Sequence, residues 1–157
     1  MGKLLLLVAL VVVVFLANRP DKMPTEYLNV YSEQPFNDGK KIVGGPCLGE
    51  KCLTVYVAPW CSTCHALNPM IISLVNQLES EGISVNVVVG KDSINEVESY
   101  AKKYPFDVLT DHDGRFYRKA KLKGVPYFAV TNVRGEIIND YFGGYTDADV
   151  MRDKLDI

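Results

Sequence analysis

The sequence predicts an α/β fold in which a central mixed sheet is flanked by helices on both faces. Two apolar, β-branched runs, "LTVYVA" from Leu53 and "ISVNVVV" from Ile83, bracket a long segment whose apolar residues recur at helical spacing. That is the strand–helix–strand start of a parallel sheet, whose strands are covered on both sides. Further on, "VPYFAVTN" and "EIINDYF" alternate around "VRGE", the pattern of an antiparallel hairpin added to the same sheet.

Taken in order, the chain opens with Met1-Gly2-Lys3 and an unbroken apolar run from Leu4 to Ala17. A helix of that length rises roughly 21 Å against a hydrocarbon core of about 30 Å. Cleavage after Ala17 would place Phe15 where export signals carry a small residue. Residues 1–17 are therefore expected to form an uncleaved signal-anchor helix contacting the membrane through residues 4–17, with a cleaved signal as the alternative. Both place the remainder outside the cytoplasm, where disulfides persist. Residues 18–50, rich in Pro, Gly, Asn and charge, read as a tether and irregular lead-in holding one strand candidate, Leu28 to Tyr31.

The domain proper is expected over residues 51–157. After the first strand a helix runs from just beyond Cys61 to about Ser80, with Leu67, Ile71, Leu74, Val75 and Leu78 on one face, and Gly82 ends it. Ser93 caps a second helix to about Lys103, with Glu96 three residues on completing a capping-box pattern. "DVLTD" is a short strand, and a short helix lies near Arg115 to Lys121. After the hairpin, Gly143-Gly144 breaks the chain before a final helix capped by Thr146 or Asp147, carrying Val150, Met151 and Leu155 inward.

At 157 residues the chain suits one domain, and a net charge of −2 with no block of like charge argues against nucleic acid as partner. The chemistry concentrates in "VAPWCSTCHALNP", Val57 to Pro69. Cys61 falls where a strand ends and a helix begins, and the unpaired amides there stabilise a thiolate. Its pKa is expected to fall from ~8.5 into a range of roughly 3.5 to 7.5. Cys64, one helical turn on, is within bonding reach, so Cys61 attacks a substrate disulfide and Cys64 resolves the mixed disulfide.

These residues resemble the thioredoxin-like thiol-disulfide oxidoreductases, in particular their membrane-anchored extracytoplasmic branch in bacteria. The likeness rests on "VYVAPWCSTC", Pro69, "GVPYFAV", the "RGEI" hairpin and "GGY", and spans Leu53 to Leu155. It implies a thioredoxin fold, with Cys61 and Cys64 catalytic and no cofactor. It further implies a cis Pro126 beside them, and Trp60, Val125 and Pro126 forming the surface that receives a client backbone. The implied partners are disulfide- or thiol-bearing client proteins, for example apocytochromes awaiting haem, and a membrane or extracytoplasmic dithiol electron donor. A monomer, anchored to the inner membrane on its periplasmic side or released there, is expected to act as a protein disulfide reductase, with oxidase or isomerase as the near alternative. Two departures stand out. Val55 occupies the position where reductants of the family hold a buried carboxylate, leaving Glu50 as a remote candidate proton acceptor. Ser62 and Thr63, which tune the potential, lack the proline often found between the cysteines.

Other readings of the same residues belong to other classes. C-S-T-C-H also fits c-type haem attachment, with His65 as ligand, although such domains are usually helical. With His65 and His112 the sole histidines, a zinc site lacks ligands. A binding module that has lost catalysis is a third class. In the redox reading His65 modulates the thiolate as a neighbouring charge, and Trp60 packs over and shields the disulfide. Cys47 and Cys52 are expected to form a structural disulfide around Gly49, with two free thiols or a second redox pair as alternatives.

Overall fold

In the computed structural model, which describes residues 6–9, 20–32 and 39–157, seven strands form one sheet. They are β1 (Glu26–Tyr31), β2 (Lys40–Val43), β3 (Lys51–Val57), β4 (Ser84–Gly90), β5 (Val108–Asp111), β6 (Tyr127–Asn132) and β7 (Ile137–Phe142), in the order β2-β1-β5-β4-β3-β6-β7. The core β3-β4-β5 is parallel, β1 and β6 run antiparallel to it, and the edge strands β2 and β7 pair antiparallel with β1 and β6. The sheet is therefore mixed, as the sequence predicts.

Among the described residues from 39 onward, four helices accompany it: α1 (Ser62–Ser80), α2 (Ile94–Ala101), α3 (Arg115–Lys119) and α4 (Ala148–Leu155). Both β3-α1-β4 and β4-α2-β5 step the same way across the sheet, so right-handed crossovers set α1 and α2 on one face. The edge contact of the His65 and Tyr100 rings, centroids 4.7 Å apart, joins the two helices there. On the other face α3 lays Phe116 against Tyr56, stacked at 6.3 Å. Because both faces are covered, every β3 residue from Leu53 to Val57 is buried.

The predicted faces hold in detail for α1, where Leu67, Ile71, Leu74, Val75 and Leu78 are buried together with Cys64 and Met70. The Ser93 hydroxyl accepts the Glu96 amide at 3.3 Å and starts α2. Asp147, not Thr146, caps α4, accepting the amides of Asp149 and Val150. One expectation fails there. Val150 is 46 % exposed, whereas Ala148, Met151 and Leu155 point inward. Spacing of three and four selects those positions, and Val150 sits about 100° off that stripe.

The sheet also reaches further back than residue 51. Much of the expected tether belongs to it, since β1 pairs with both β2 and β5 and extends the sheet by two strands. Lys40, Lys41 and Ile42 on edge strand β2 are exposed, so the strand lacks the alternation that marks one in a sequence. The N-terminal expectation, membrane contact by residues 4–17, lies outside the described residues except for 6–9. Among the described residues no helix is long and apolar enough to cross a membrane.

Candidate active site

Cys61 follows β3 by four residues and stands at the N-cap of α1 in an extended conformation (φ −88°, ψ 106°). The Cys64 amide donates to Cys61 Sγ at 3.0 Å, the role an oxygen usually plays at a helix start. No acidic residue occupies the first turn of α1, so no nearby carboxylate on the helix offsets the partial positive charge of its free amides. Cys61 and Cys64 are joined as a disulfide, Cys64 fully buried and Cys61 7 % exposed. Between them, Ser62 and Thr63 are exposed.

A second loop meets this pair because of strand register. β6 runs antiparallel to β3 with Tyr56 opposite Tyr127, so the residues preceding β6 fall beside the residues following β3. Cys61 Sγ consequently lies 3.6 Å from the carbonyl oxygen of Val125. The Val125–Pro126 peptide is cis, and both residues are buried.

No family model matches the chain, and no curated protein matches it either. Solved structures do. A Chlorobium tepidum protein described as a thiol:disulfide interchange protein, DsbE, superposes with TM-score 0.69 at 18 % identity, covering 88 % of this chain and 95 % of that one. The exposed lipoprotein thioredoxin of Streptococcus pneumoniae gives 0.64 at 17 % identity, over 85 % and 98 %. A thio-disulfide isomerase from Thermus thermophilus gives 0.61 at 22 % identity, over 88 % and 92 %. The fold is the thioredoxin fold.

Within that thioredoxin fold, Trp60 and His65 make contacts that the sequence does not predict. Trp60 is 56 % exposed, and its indole N–H donates to the Lys91 carbonyl at 2.9 Å. It is anchored to the residue after β4 and presents much of its surface to solvent. The ammonium of Lys91 sits 5.8 Å from the Trp60 ring centre and 4.0 Å from that of Tyr117, holding the three side chains in one group.

His65 binds at both nitrogens: Nε2 lies 2.6 Å from the Pro59 carbonyl and Nδ1 lies 3.0 Å from the Lys103 ammonium. A carbonyl accepts and an ammonium donates, so the two contacts match the Nε2–H tautomer of the ring. It ties the first turn of α1 to the loop before Cys61. Iron ligation by Nε2, which the haem reading needs, would require breaking that bond.

The structure supplies no carboxylate at Val55, which is fully buried among apolar neighbours. Glu50 precedes β3 while Cys61 follows it, a separation of about 20 Å along the strand at 3.3 Å per residue, so it is not placed to take a proton from Cys64. The buried acid of this region is Asp111, at the end of β5 and 2 % exposed. It accepts the Tyr56 hydroxyl at 2.8 Å and the amides of Phe116 and Tyr117 at 3.0 Å each, and so caps α3. Burial first, and then the charge of Asp111, push the Tyr56 hydroxyl far above the ordinary phenol pKa. Sequence reasoning missed Asp111 and Lys91. Asp111 looks like turn material in "DHDG", and nothing local marks Lys91 as a seat for Trp60. Cys47 and Cys52 are bonded to each other, the leading expectation for them.

Proposed function

We infer that this chain is an extracytoplasmic protein thiol-disulfide oxidoreductase that reduces disulfides in exported client proteins. One observation carries the reading: a disulfide set at an uncompensated helix N-terminus, with Cys61 Sγ 3.6 Å from the Val125 carbonyl.

In the reduced protein the Cys61 thiolate attacks a client disulfide, forming a Cys61–client bond and expelling one client thiolate. Cys64, its proton lost to solvent, attacks Cys61 Sγ, releases the second client thiol and closes the disulfide. Two electrons pass to the client, and a membrane or extracytoplasmic dithiol restores them. The client backbone lies along Val125 and Pro126 as an added strand, which makes the enzyme tolerant of side chains. The apolar run at residues 4–17 supports placement at the cell envelope as a membrane-anchored monomer. Apocytochromes are a fitting client class, because their cysteines must be reduced before haem is attached.

The direction of electron flow is tested by equilibrating the Cys61/Cys64 pair with glutathione buffers. A potential near −270 mV marks the reductase, and one near −120 mV marks an oxidase and overturns the proposed direction.

A further inference from the structure

At the end of β3 remote from Cys61, a cavity of about 500 Å³ opens beside the Cys47–Cys52 disulfide. Thr54 and Thr131 lie in its lining, both nearly buried, and Tyr27, Ile42 and Leu48 give it apolar walls. Two cations, Lys40 and Lys41, also line it, and no carboxylate does among the described residues. Neither lysine has an ion-pair partner among the described residues. Asn86 contributes a second irregularity: it lines the cavity, and its Oδ1 is buried with no hydrogen-bond partner among the described residues. A buried amide oxygen left this way is unfavourable until a donor reaches it.

Each feature restricts the occupant. Two ammonium groups with no acid partner among the described residues favour an anion, and the Asn86 oxygen calls for an N–H or O–H donor. The disulfide in the wall gives a thiol something to react with. We propose that this cavity is a second redox site, at which a small acidic thiol of peptide character, such as glutathione, binds and exchanges with Cys47–Cys52.

The ligand thiolate attacks one sulfur of the pair, forming a ligand–cysteine disulfide and freeing the other cysteine, which takes up a proton. A second ligand thiol attacks the mixed disulfide, leaving oxidised ligand and two protein thiols, so two electrons and two protons move from ligand to protein. The exchange is independent of Cys61, because Cys52 and Val57 alone are about 17 Å apart at 3.3 Å per strand residue. Its structural effect is local. Breaking the bond releases the segment between Cys47 and Cys52, which then remains fastened at Cys47 by an amide donating to the Asn132 carbonyl at 3.3 Å.

The test uses the full chain with Cys61→Ser and Cys64→Ser, and in parallel the unaltered chain followed by peptide mapping, so that misfolding of the variant cannot mask the result. Glutathione is compared with cysteamine, a cationic thiol, with rates of Cys47–Cys52 opening expressed per thiolate. Glutathione is expected to react on the order of tenfold faster. Lys40→Ala with Lys41→Ala, and separately about 1 M salt, should erase that advantage while Cys61–Cys64 exchange in the unaltered chain stays the same. Equal rates for the two thiols would overturn the proposal. So would a Cys47–Cys52 bond that stays closed at glutathione concentrations that open Cys61–Cys64.

Discussion

The sulfur of Cys61 and the carbonyl oxygen of Val125 lie 3.6 Å apart, although sixty-four residues separate them in the chain. The pairing of β3 with β6 produces this contact, since a fixed antiparallel register leaves the two loops no other place to meet. Cys61 and the Val125–Pro126 backbone are thereby brought to one spot by the geometry of the sheet.

The absence of an acid in the first turn of α1 makes the electrostatics of Cys61 testable by adding one. Ser62→Asp places a carboxylate at the helix start, competing with the thiolate for the same partial charge. The Cys61 thiol pKa, read from the pH dependence of iodoacetamide alkylation, should rise by roughly half a unit or more. Thermal stability should hold or increase slightly, because the acid favours the helix. An unchanged alkylation profile would separate Cys61 reactivity from the helix terminus.

Alkaline stability should be governed in part by Tyr56. Its hydroxyl is held protonated in the fold, above its value of 10.0 in the unfolded chain. The contribution is therefore complete below about pH 10 and is lost as pH rises above it, because the unfolded chain then binds fewer protons. The expected slope is about 1.4 kcal/mol per pH unit. Urea unfolding between pH 9 and 11 should show this decline, and Tyr56→Phe should flatten it by that amount while lowering stability at neutral pH.

Asp111→Ala removes the acceptor of three hydrogen bonds in a buried place. It should destabilise the fold by ~3 kcal/mol, since the Tyr56 hydroxyl and two amides lose their partner together. The potential of the Cys61/Cys64 pair should change little, as the Asp111 carboxylate bonds Tyr56 and α3 and neither sulfur. Measuring both quantities on one preparation separates support of the sheet from a part in the chemistry.

The parts of this molecule that are local in origin were legible in its sequence. The apolar face of α1, the Ser93 cap and the β6–β7 hairpin each follow from spacing within a few residues, and the structure has them all. Val125 and Pro126 needed more, because nothing in their own neighbourhood points to Cys61; family resemblance supplied that link. What escaped was set by distant partners. Nothing near Trp60 in the chain foretells that its indole finds the Lys91 carbonyl thirty-one residues away. β2 escaped because a short, exposed edge strand has no buried face to impose alternation. Asp111 escaped for a related reason, since its partner Tyr56 lies on another strand.

The account rests on attack by Cys61 and resolution by Cys64, and mixed-disulfide trapping tests that directly. Reduced Cys64→Ser protein, incubated with a disulfide-bonded client, should accumulate a covalent adduct through Cys61 that dithiothreitol releases. Cys61→Ser should form none. An adduct of equal yield through Cys64 in the Cys61→Ser protein, or no adduct with either variant, would contradict it.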